Sequence, residues 1–530
     1  MRGMSVRTRT SIVSVATLGS RVLGFVRDAA TAAVLGVGPV ADALAAALTL
    51  PLLARRLLAE GALNLAFLPA LARETEDGGA VCASRLARAT LVLLVGVLLA
   101  VSTLGAVFMP ALIGLLAPGF TPDGARAELA IWCGRIAVFY LPLAGLSAIY
   151  GGIANSAQRV FLPALAPIAA NMTVLAVITV LVWRGMMESD QAALAIAGAT
   201  LAAGLSQLVL MLCAARGCPA SPTHKPRETG TGEFGSAVVW RKAAGVLRDA
   251  LPALLFAGLS QFRFIIIAAL VSATDGAFAT LNYAQRLMDL PLGLVGASAG
   301  AVLLPLLVHG GRESRDEAGR AVLAALAFAV PAAIGLFVLA EPVVHVLFQR
   351  GSFDAQDVQI TSAMLTILAL SLPFQGLERV LSAMAAAAGL MRVAEKIALA
   401  SLLLCLLGGL VLGWLGAPLG FPGVALVAGA AALSAFASVA GMLSVLVRAG
   451  HLDMDARIVR MSAGILISGL FMGLAVWGLE LHTRDLLPAD GAGWVRAARL
   501  AGLVAAGMLV YGLCALGLTR LLRSRVQPGR

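Results

Sequence analysis

The feature that most constrains this sequence is a series of long apolar blocks. One of them, Ala89–Met109, carries no charge and is long enough for the roughly 20 residues that a helix needs to cross a bilayer. Of the 530 residues, 60% are hydrophobic and 13% are charged, whereas soluble domains have about 45–50% apolar and about 25% charged residues. A soluble fold could not bury so much apolar surface. The sequence therefore predicts an all-α polytopic membrane protein.

Charged, proline-rich and glycine-rich breaks separate these blocks into about fourteen predicted transmembrane helices. The predicted spans are 11–37, 40–70, 86–117, 128–150, 160–183, 190–215, 247–273, 277–308, 320–348, 357–390, 394–416, 422–448, 458–480 and 494–521.

Basic residues are concentrated in every second connection between these spans. With the N-terminus in the cytoplasm, the outside segments hold only Arg126, Arg184, Arg350, Arg484, Arg496 and Arg499. This distribution follows the positive-inside rule and predicts that both termini are cytoplasmic. It also accounts for the net charge of +11 without nucleic acid as a partner. The first apolar stretch contains Arg21, Arg27 and Asp28, so it is interpreted as a retained helix rather than a signal peptide.

The longest hydrophilic stretch predicts how the chain is divided. Residues 216–248 are rich in Pro, Gly, Thr and charge, which favours a flexible cytoplasmic linker. It would join an N-terminal six-helix lobe (1–215) to a C-terminal six-helix lobe (249–449). Residues 450–530 would then form two additional transmembrane helices and a cytoplasmic tail. Two matched lobes are typical of a duplicated transporter.

Charged residues inside the predicted spans are the strongest functional signal, because a central Arg or Asp costs about 2.5–3.5 kcal/mol in a bilayer. Arg21 and Asp28 are seven residues apart and share a helix face with Gly24 between them. Arg27 points elsewhere, unless a bend at Gly24 brings it in. Arg56 and Glu60 have the spacing of a local ion pair. The other interior charges are Asp42, Arg55, Arg135, Arg263, Arg286, Asp289, Glu378 and Arg379.

Each of these charges has a structural interpretation, as a packing residue or as one that extends from near a span end to the interface. Taken together, however, they indicate a cation-rich interior in both lobes. Arginines that converge in a low-dielectric site suit a phosphate or pyrophosphate, which a guanidinium binds in bidentate fashion. A cation transporter would instead show an excess of interior carboxylates.

Five motifs give the sequence a family resemblance. SRVLGFVRDAA (20–30), ADALAAALTLPLLARRLLAEGALNLAFLPAL (41–71), GGIANSAQRVFLPALAPIAAN (151–171), YAQRLMDLPLGLVG (283–296) and LFQRGSFDAQD (347–357) resemble the MurJ (MviN) family of lipid II flippases. The resemblance implies the multidrug/oligosaccharidyl-lipid/polysaccharide exporter fold. It also implies that the following residues bind the substrate: Ser20, Arg21, Arg27, Asp28, Asp42, Arg55, Arg56, Glu60 and Arg286.

The resemblance further implies a function without catalysis. We expect alternating-access transport of lipid II, the lipid-linked peptidoglycan precursor, from the cytoplasmic to the periplasmic leaflet of the bacterial inner membrane. The expected partners are lipid II, membrane lipids and, as candidates, cell-wall synthesis proteins, with no cofactor and no metal.

Three alternatives stay open at this point. The chain could export another polyprenyl-linked oligosaccharide, or act as a drug/ion antiporter of the same superfamily. It could process polyprenyl phosphates as a membrane enzyme, although its five histidines are isolated and its sole DxD-type triplet, DMD at 453–455, is interpreted as solvated charge. It could also be a scaffold that transports nothing, which the interior arginines argue against.

Overall fold

The computed structural model describes residues 6–59, 62–218, 221, 237–306, 312–486 and 493–524, and in these residues it contains helices but no strands. The α-helices are α1 (Val6–Leu35), α2 (Pro39–Ala59), α3 (Ala62–Val107), α4 (Met109–Leu116), α5 (Ala125–Ala137), α6 (Tyr140–Ser156), α7 (Phe161–Trp183), α8 (Asp190–Ala215), α9 (Ala237–Val271), α10 (Ala277–Leu306), α11 (Arg312–Val338), α12 (Ala340–Phe348), α13 (Ala355–Ala369), α14 (Leu372–Ala387), α15 (Met391–Gly416), α16 (Phe421–Val427), α17 (Gly429–Arg448), α18 (Ala456–Leu486) and α19 (Gly493–Ser524). A short 3₁₀ helix, Ala417–Leu419, follows α15.

The chain divides into two compact units, Met1–Ile265 and Ile266–Arg530, and the division falls inside α9. The sequence placed the start of the second lobe at 249 instead. In addition, α9 begins at Ala237, within the segment predicted as linker. Part of that segment, 219–220 and 222–236, lies outside the described residues. The predicted domain boundaries therefore stay a prediction.

The predicted fold class, an all-α multi-pass membrane protein, is confirmed. Among the described residues, nine helices are long and apolar enough to cross a membrane, or ten when the bent pair α13 and α14 is taken as one span. The predicted number of fourteen is not confirmed by this criterion. The helices below the threshold include α1, α2 and α10, which carry the interior charges that the sequence analysis singled out.

Several predicted spans are broken helices. For the predicted second span, 40–70, the structure describes α2 up to Ala59 and α3 from Ala62, and residues 60–61 lie outside the described residues. Within α3, Gly79 has φ 69° and ψ −172°, which kinks the helix there. Such a backbone conformation strongly favours glycine, because it has no Cβ. Breaks also separate α5 from α6, α11 from α12, α13 from α14, and α16 from α17.

In the first unit, two broken helices satisfy each other's backbone. Pro110 has no N–H, so the carbonyl of Ala106 loses its usual helical donor four residues on. Arg135 on α5 replaces that donor, with its Nε 3.2 Å from the Ala106 oxygen. Pro142 has the same effect on the carbonyl of Val138, which accepts a hydrogen bond from Ser102 on α3 at 3.2 Å. Within a bilayer no water replaces such donors, so these contacts allow the breaks to exist.

The second unit contains a comparable contact between α11 and α19. Pro331 lies inside α11 and frees the carbonyl of Ala327. The hydroxyl of Tyr511 donates to that carbonyl at 3.0 Å. Next to α11, α18 packs closely through Gly469 and Gly473. A Cβ at Gly473 would lie 2.5 Å from a methyl group of Ile334, so glycine is required for this approach.

Local hydrogen bonds define the start of several helices. The Ser189 side chain accepts from the Ala192 N–H at the beginning of α8. Asp354 and Asp357 form a capping box on α13, in which each side chain accepts from the other's backbone N–H. In the acidic triplet, Asp455 caps α18 through the Ile458 N–H, and Asp453 pairs with Arg315 at 3.1 Å. The triplet thus has structural contacts rather than being solvated charge alone.

Candidate functional site

The most extensive polar cluster within a predicted membrane span lies where α1 packs against α7. The guanidinium of Arg27 donates two hydrogen bonds to Asp28 Oδ1, from Nε at 3.1 Å and from Nη2 at 2.7 Å. Its Nη1 donates to Asn171 Oδ1 on α7 at 3.0 Å. Both members of the ion pair are largely but not fully buried. Arg27 is thus held by side-chain acceptors on two helices.

Asn171 is the residue that organises this cluster, and the sequence analysis did not single it out. Its Nδ2 donates to the backbone carbonyl of Ser20 at 3.2 Å while its Oδ1 accepts from Arg27. A Cβ at Gly24 would lie 3.4 Å from Asn171 Nδ2, an ordinary contact distance, so Gly24 lies next to the amide where α1 and α7 pack. A neutral amide in an apolar span gives a weak sequence signal, although Asn171 is the last residue of the third motif, 151–171.

The structure changes the expected roles of the charges on α1. The sequence analysis grouped Arg21 with Asp28 and left Arg27 on another face. In the structure, Asp28 pairs with Arg27 instead, because the Nε and Nη2 groups of Arg27 both donate to the carboxylate of the next residue. Arg21 lies exposed on the same helix, and Ser20 contributes its backbone carbonyl. Whether Ser20, Arg21, Arg27 and Asp28 bind a substrate stays a prediction.

A second set of cations lies on α2. Arg55 and Arg56 are half-buried, and Arg56 Nη1 donates to the Gln261 side chain on α9. The charges of Arg55 and Arg27 both act on the hydroxyl of Tyr140, so cations from α1 and α2 lie near one buried tyrosine. Glu60, the predicted partner of Arg56, lies outside the described residues.

Asp42, predicted as a substrate-binding residue, lies at the other end of α2. Its carboxylate is completely buried and pairs with Arg126, whose Nη1 lies 3.2 Å from Asp42 Oδ2. Fourteen residues of helix separate Asp42 from Arg56, which corresponds to about 21 Å. The structure therefore does not bring Asp42 together with the arginines of α2.

In the second unit, Arg286 is half-buried on α10. The residue that precedes it, Gln285, donates to Asp289 at 3.0 Å. On α14, Glu378 accepts a hydrogen bond of 2.6 Å from Ser438, and Arg379 reaches the Leu292 carbonyl at 3.4 Å. These contacts give each interior charge of α14 a polar partner. The binding role predicted for Arg286 stays a prediction.

The chemistry of the cluster in the first unit favours an anionic ligand. The guanidinium of Arg27 is held by side-chain acceptors, and a guanidinium can bind two oxygens of one phosphate. No group of three or more His, Cys, Asp or Glu side chains that could hold a metal occurs in the part of the chain that the structure describes.

Comparisons with known proteins agree with this fold. The solved structure described as lipid II flippase MurJ in an inward closed conformation has a TM-score of 0.73 and 21% identity, covering 97% of this chain and 99% of that one. An inward-facing multidrug resistance MATE family transporter of the MOP superfamily has a TM-score of 0.60 and 18% identity, covering 84% of this chain and 96% of that one. The fold is therefore that of the multidrug/oligosaccharidyl-lipid/polysaccharide exporters.

Sequence comparisons identify the family within that class. The family model for lipid II flippase MurJ matches residues 31–487. A probable lipid II flippase MurJ from Rhizobium tropici is 31% identical, covering 97% of this chain and 94% of the relative. Another from Rhizobium meliloti (strain 1021) is 34% identical, covering 70% and 68%. The chain belongs to the MurJ family of lipid II flippases, which confirms the family resemblance, and is a multi-pass protein of the bacterial inner membrane.

Proposed function

We propose that this protein moves lipid II from the cytoplasmic to the periplasmic leaflet by alternating access, with cavity arginines holding the pyrophosphate. The sugar-peptide head of lipid II cannot cross hydrocarbon unaided, because the polar groups of the head would lose water without gaining other partners. A transporter that shields the head while the polyprenyl tail stays in lipid removes this barrier.

The way Arg27 is held is the observation that carries the arginine role. Asp28 and Asn171 supply acceptor atoms at 2.7–3.1 Å, which offsets the cost of a positive charge within the membrane. A pyrophosphate oxygen can replace either acceptor without breaking any backbone hydrogen bond. Asp28 then acts as the counter-ion of Arg27 in the unloaded protein, and the phosphate takes that place in the loaded one.

Additional cations would complete the binding of the head group. Arg21, Arg55 and Arg56 lie on the same two helices, α1 and α2, and we assign them to the phosphates. Arg286 on α10 is proposed as a further substrate-binding residue. Moving a charge across the membrane is worth about 2.3 kcal/mol per 100 mV. The membrane potential can therefore bias the return of the emptied, positively charged site.

The test is a lipid II accessibility assay in cells depleted of this protein. Wild-type protein should restore access of an external probe to the lipid II head group, and Arg27→Ala should not, at equal protein level. Arg184→Ala is the matched control, because Arg184 is an exposed arginine at the end of α7 in the same unit. Normal accessibility with Arg27→Ala would remove this residue from the site.

The accessibility assay and an assay of purified protein with labelled lipid II separate the competing functions. An exporter of another polyprenyl-linked oligosaccharide would leave lipid II accessibility unchanged on depletion. An enzyme would release labelled sugar or phosphate from lipid II with purified protein, whereas a flippase releases nothing.

We also propose that both termini are cytoplasmic and that cell-wall synthesis proteins are partners. Reporter fusions at each terminus test the former, and co-purification from cross-linked membranes tests the latter.

A further inference from the structure

We infer that Arg126 is a positioning residue that fixes the beginning of α2 through Asp42. Asp42 lies in the first turn of α2, where a carboxylate also interacts favourably with the helix dipole. Its side chain is 0% exposed, and that of its partner Arg126 is 12% exposed. A buried ion pair of this kind requires further contacts for each charged group.

Arg126 has such contacts in the segment that precedes α5. Its second arm, Nη2, donates to the Gly119 carbonyl at 3.3 Å. The guanidinium carbon lies 4.1 Å from the centroid of the Phe120 ring, which is itself buried and gives a favourable cation–π contact. One side chain thus connects α2 with the 119–120 segment and with α5, on which α2 packs.

This connection has a consequence for the arginines further along α2. The chain is helical from Pro39 to Ala59, with Pro51 inside the helix, so fixing the first turn of α2 also restricts the depth of Arg55 and Arg56, about 20 Å away. Asp42 would then affect transport through Arg126 and the placement of α2, rather than by contacting the substrate. The inference rests on the proposed function only for its transport readout.

A double-mutant cycle tests this inference. Asp42→Asn, Arg126→Gln and the double variant are purified and compared in thermal unfolding and in lipid II transport by proteoliposomes. Each single change leaves one buried charge without its partner, so each should lower the unfolding midpoint by several degrees. The unfolding midpoint of the double variant should be no lower than that of the less stable single variant, because the effects of changes at two residues in direct contact are not additive.

Transport kinetics separate positioning from a purely structural role. At equal amounts of folded protein, both single variants should raise the apparent KM for lipid II by a similar factor, about tenfold. Arg126→Lys should recover much of this loss, since it keeps the charge facing Asp42. Arg184→Gln, which changes an exposed arginine in the same unit, should change neither quantity.

Three results would overturn the inference. The first is additive midpoint shifts in the cycle. The second is a raised KM in Asp42→Asn with a normal KM in Arg126→Gln, which would place Asp42 at the substrate. The third is destabilisation with an unchanged KM. If the wild-type protein does not transport lipid II, the proposed function fails, while the unfolding cycle still decides whether Asp42 and Arg126 are coupled.

Discussion

Arg27 and Arg135 are both arginines within apolar helices of the first unit, but they are held in different ways. Arg27 donates to two side chains, Asp28 and Asn171. Arg135 donates to the Ala106 backbone carbonyl and lies 5.0 Å from the Trp132 ring. Side-chain acceptors can be exchanged for a ligand, whereas a carbonyl freed by a proline needs its donor permanently. We therefore propose that the kind of acceptor distinguishes a substrate-binding arginine from a structural one.

The largest difference between the two arginines is expected when each is replaced by lysine. Arg27→Lys should lower lipid II transport about tenfold to a hundredfold, since hydrogen bonds to charged groups contribute about 1.5–3 kcal/mol and lysine loses the bidentate geometry. Arg135→Lys keeps one donor for one carbonyl and should leave transport near the wild-type rate. Both variants are compared in the accessibility assay at matched protein levels. Equal transport by the two would contradict the distinction.

The next largest effect is expected at Asn171. Asn171→Ala removes the acceptor for Arg27 and the donor to Ser20, so transport should fall by about fivefold, corresponding to roughly 1 kcal/mol for a lost hydrogen bond. Combining it with Arg27→Ala should add little, because both changes act on one contact. Independent losses in the double variant would show that Asn171 acts elsewhere.

For Arg135 the expected effect is on stability rather than transport. Arg135→Leu leaves the Ala106 carbonyl without its side-chain donor and should lower the free energy of unfolding by about 1–2 kcal/mol. Pro110→Ala restores a backbone N–H at that position. Arg135→Leu should therefore lower the free energy of unfolding less in a Pro110→Ala background than in the wild type, as measured by denaturant unfolding in detergent. An equal loss in both backgrounds would show that Arg135 stabilises the unit in another way.

The smallest effect is expected for an exposed charge, Lys242. Its hydrogen bond to Glu74 raises the pKa of Lys242 above its ordinary value of 10.5. The stabilisation is therefore present below about pH 10.5 and is lost as the pH rises through the raised pKa. Lys242→Gln should lower the thermal midpoint slightly at pH 8, and the difference should shrink above pH 11. A difference independent of pH would exclude the ion pair as its cause.

Much of the fold could be predicted from hydropathy. The predicted spans 160–183 and 190–215 differ from α7 and α8 by at most one residue, because uninterrupted apolar runs end there at charged or glycine residues. The breaks inside spans were not predicted, since two residues between α5 and α6 hardly change the hydropathy of a long window. At the two breaks of the first unit, the carbonyls of Ala106 and Val138 accept hydrogen bonds from side chains of other helices, and hydropathy does not report such contacts.

The sequence predicts the charged residues of the candidate site but not the contacts between them. Charges in apolar helices are visible in a sequence, so Arg27 and Asp28 could be nominated. The contact of Arg27 with Asn171 joins residues 144 positions apart, and spacing within one helix cannot predict it. In the same way, Arg126 appears in the sequence as one of several loop charges, and only the fold places it on Asp42.

The hydrogen bond from Tyr511 to the Ala327 carbonyl has a consequence for how α19 is aligned along α11. In hydrocarbon, apolar surfaces give little preference for one sliding position over another, since lipid tails pack almost as well as side chains. A single hydroxyl that fits one carbonyl penalises a shift by a helical turn, about 5.4 Å, because the shift would leave both groups unpaired. Tyr511 thus favours one register of α19 along α11, as the Arg499–Glu480 ion pair does for α19 along α18.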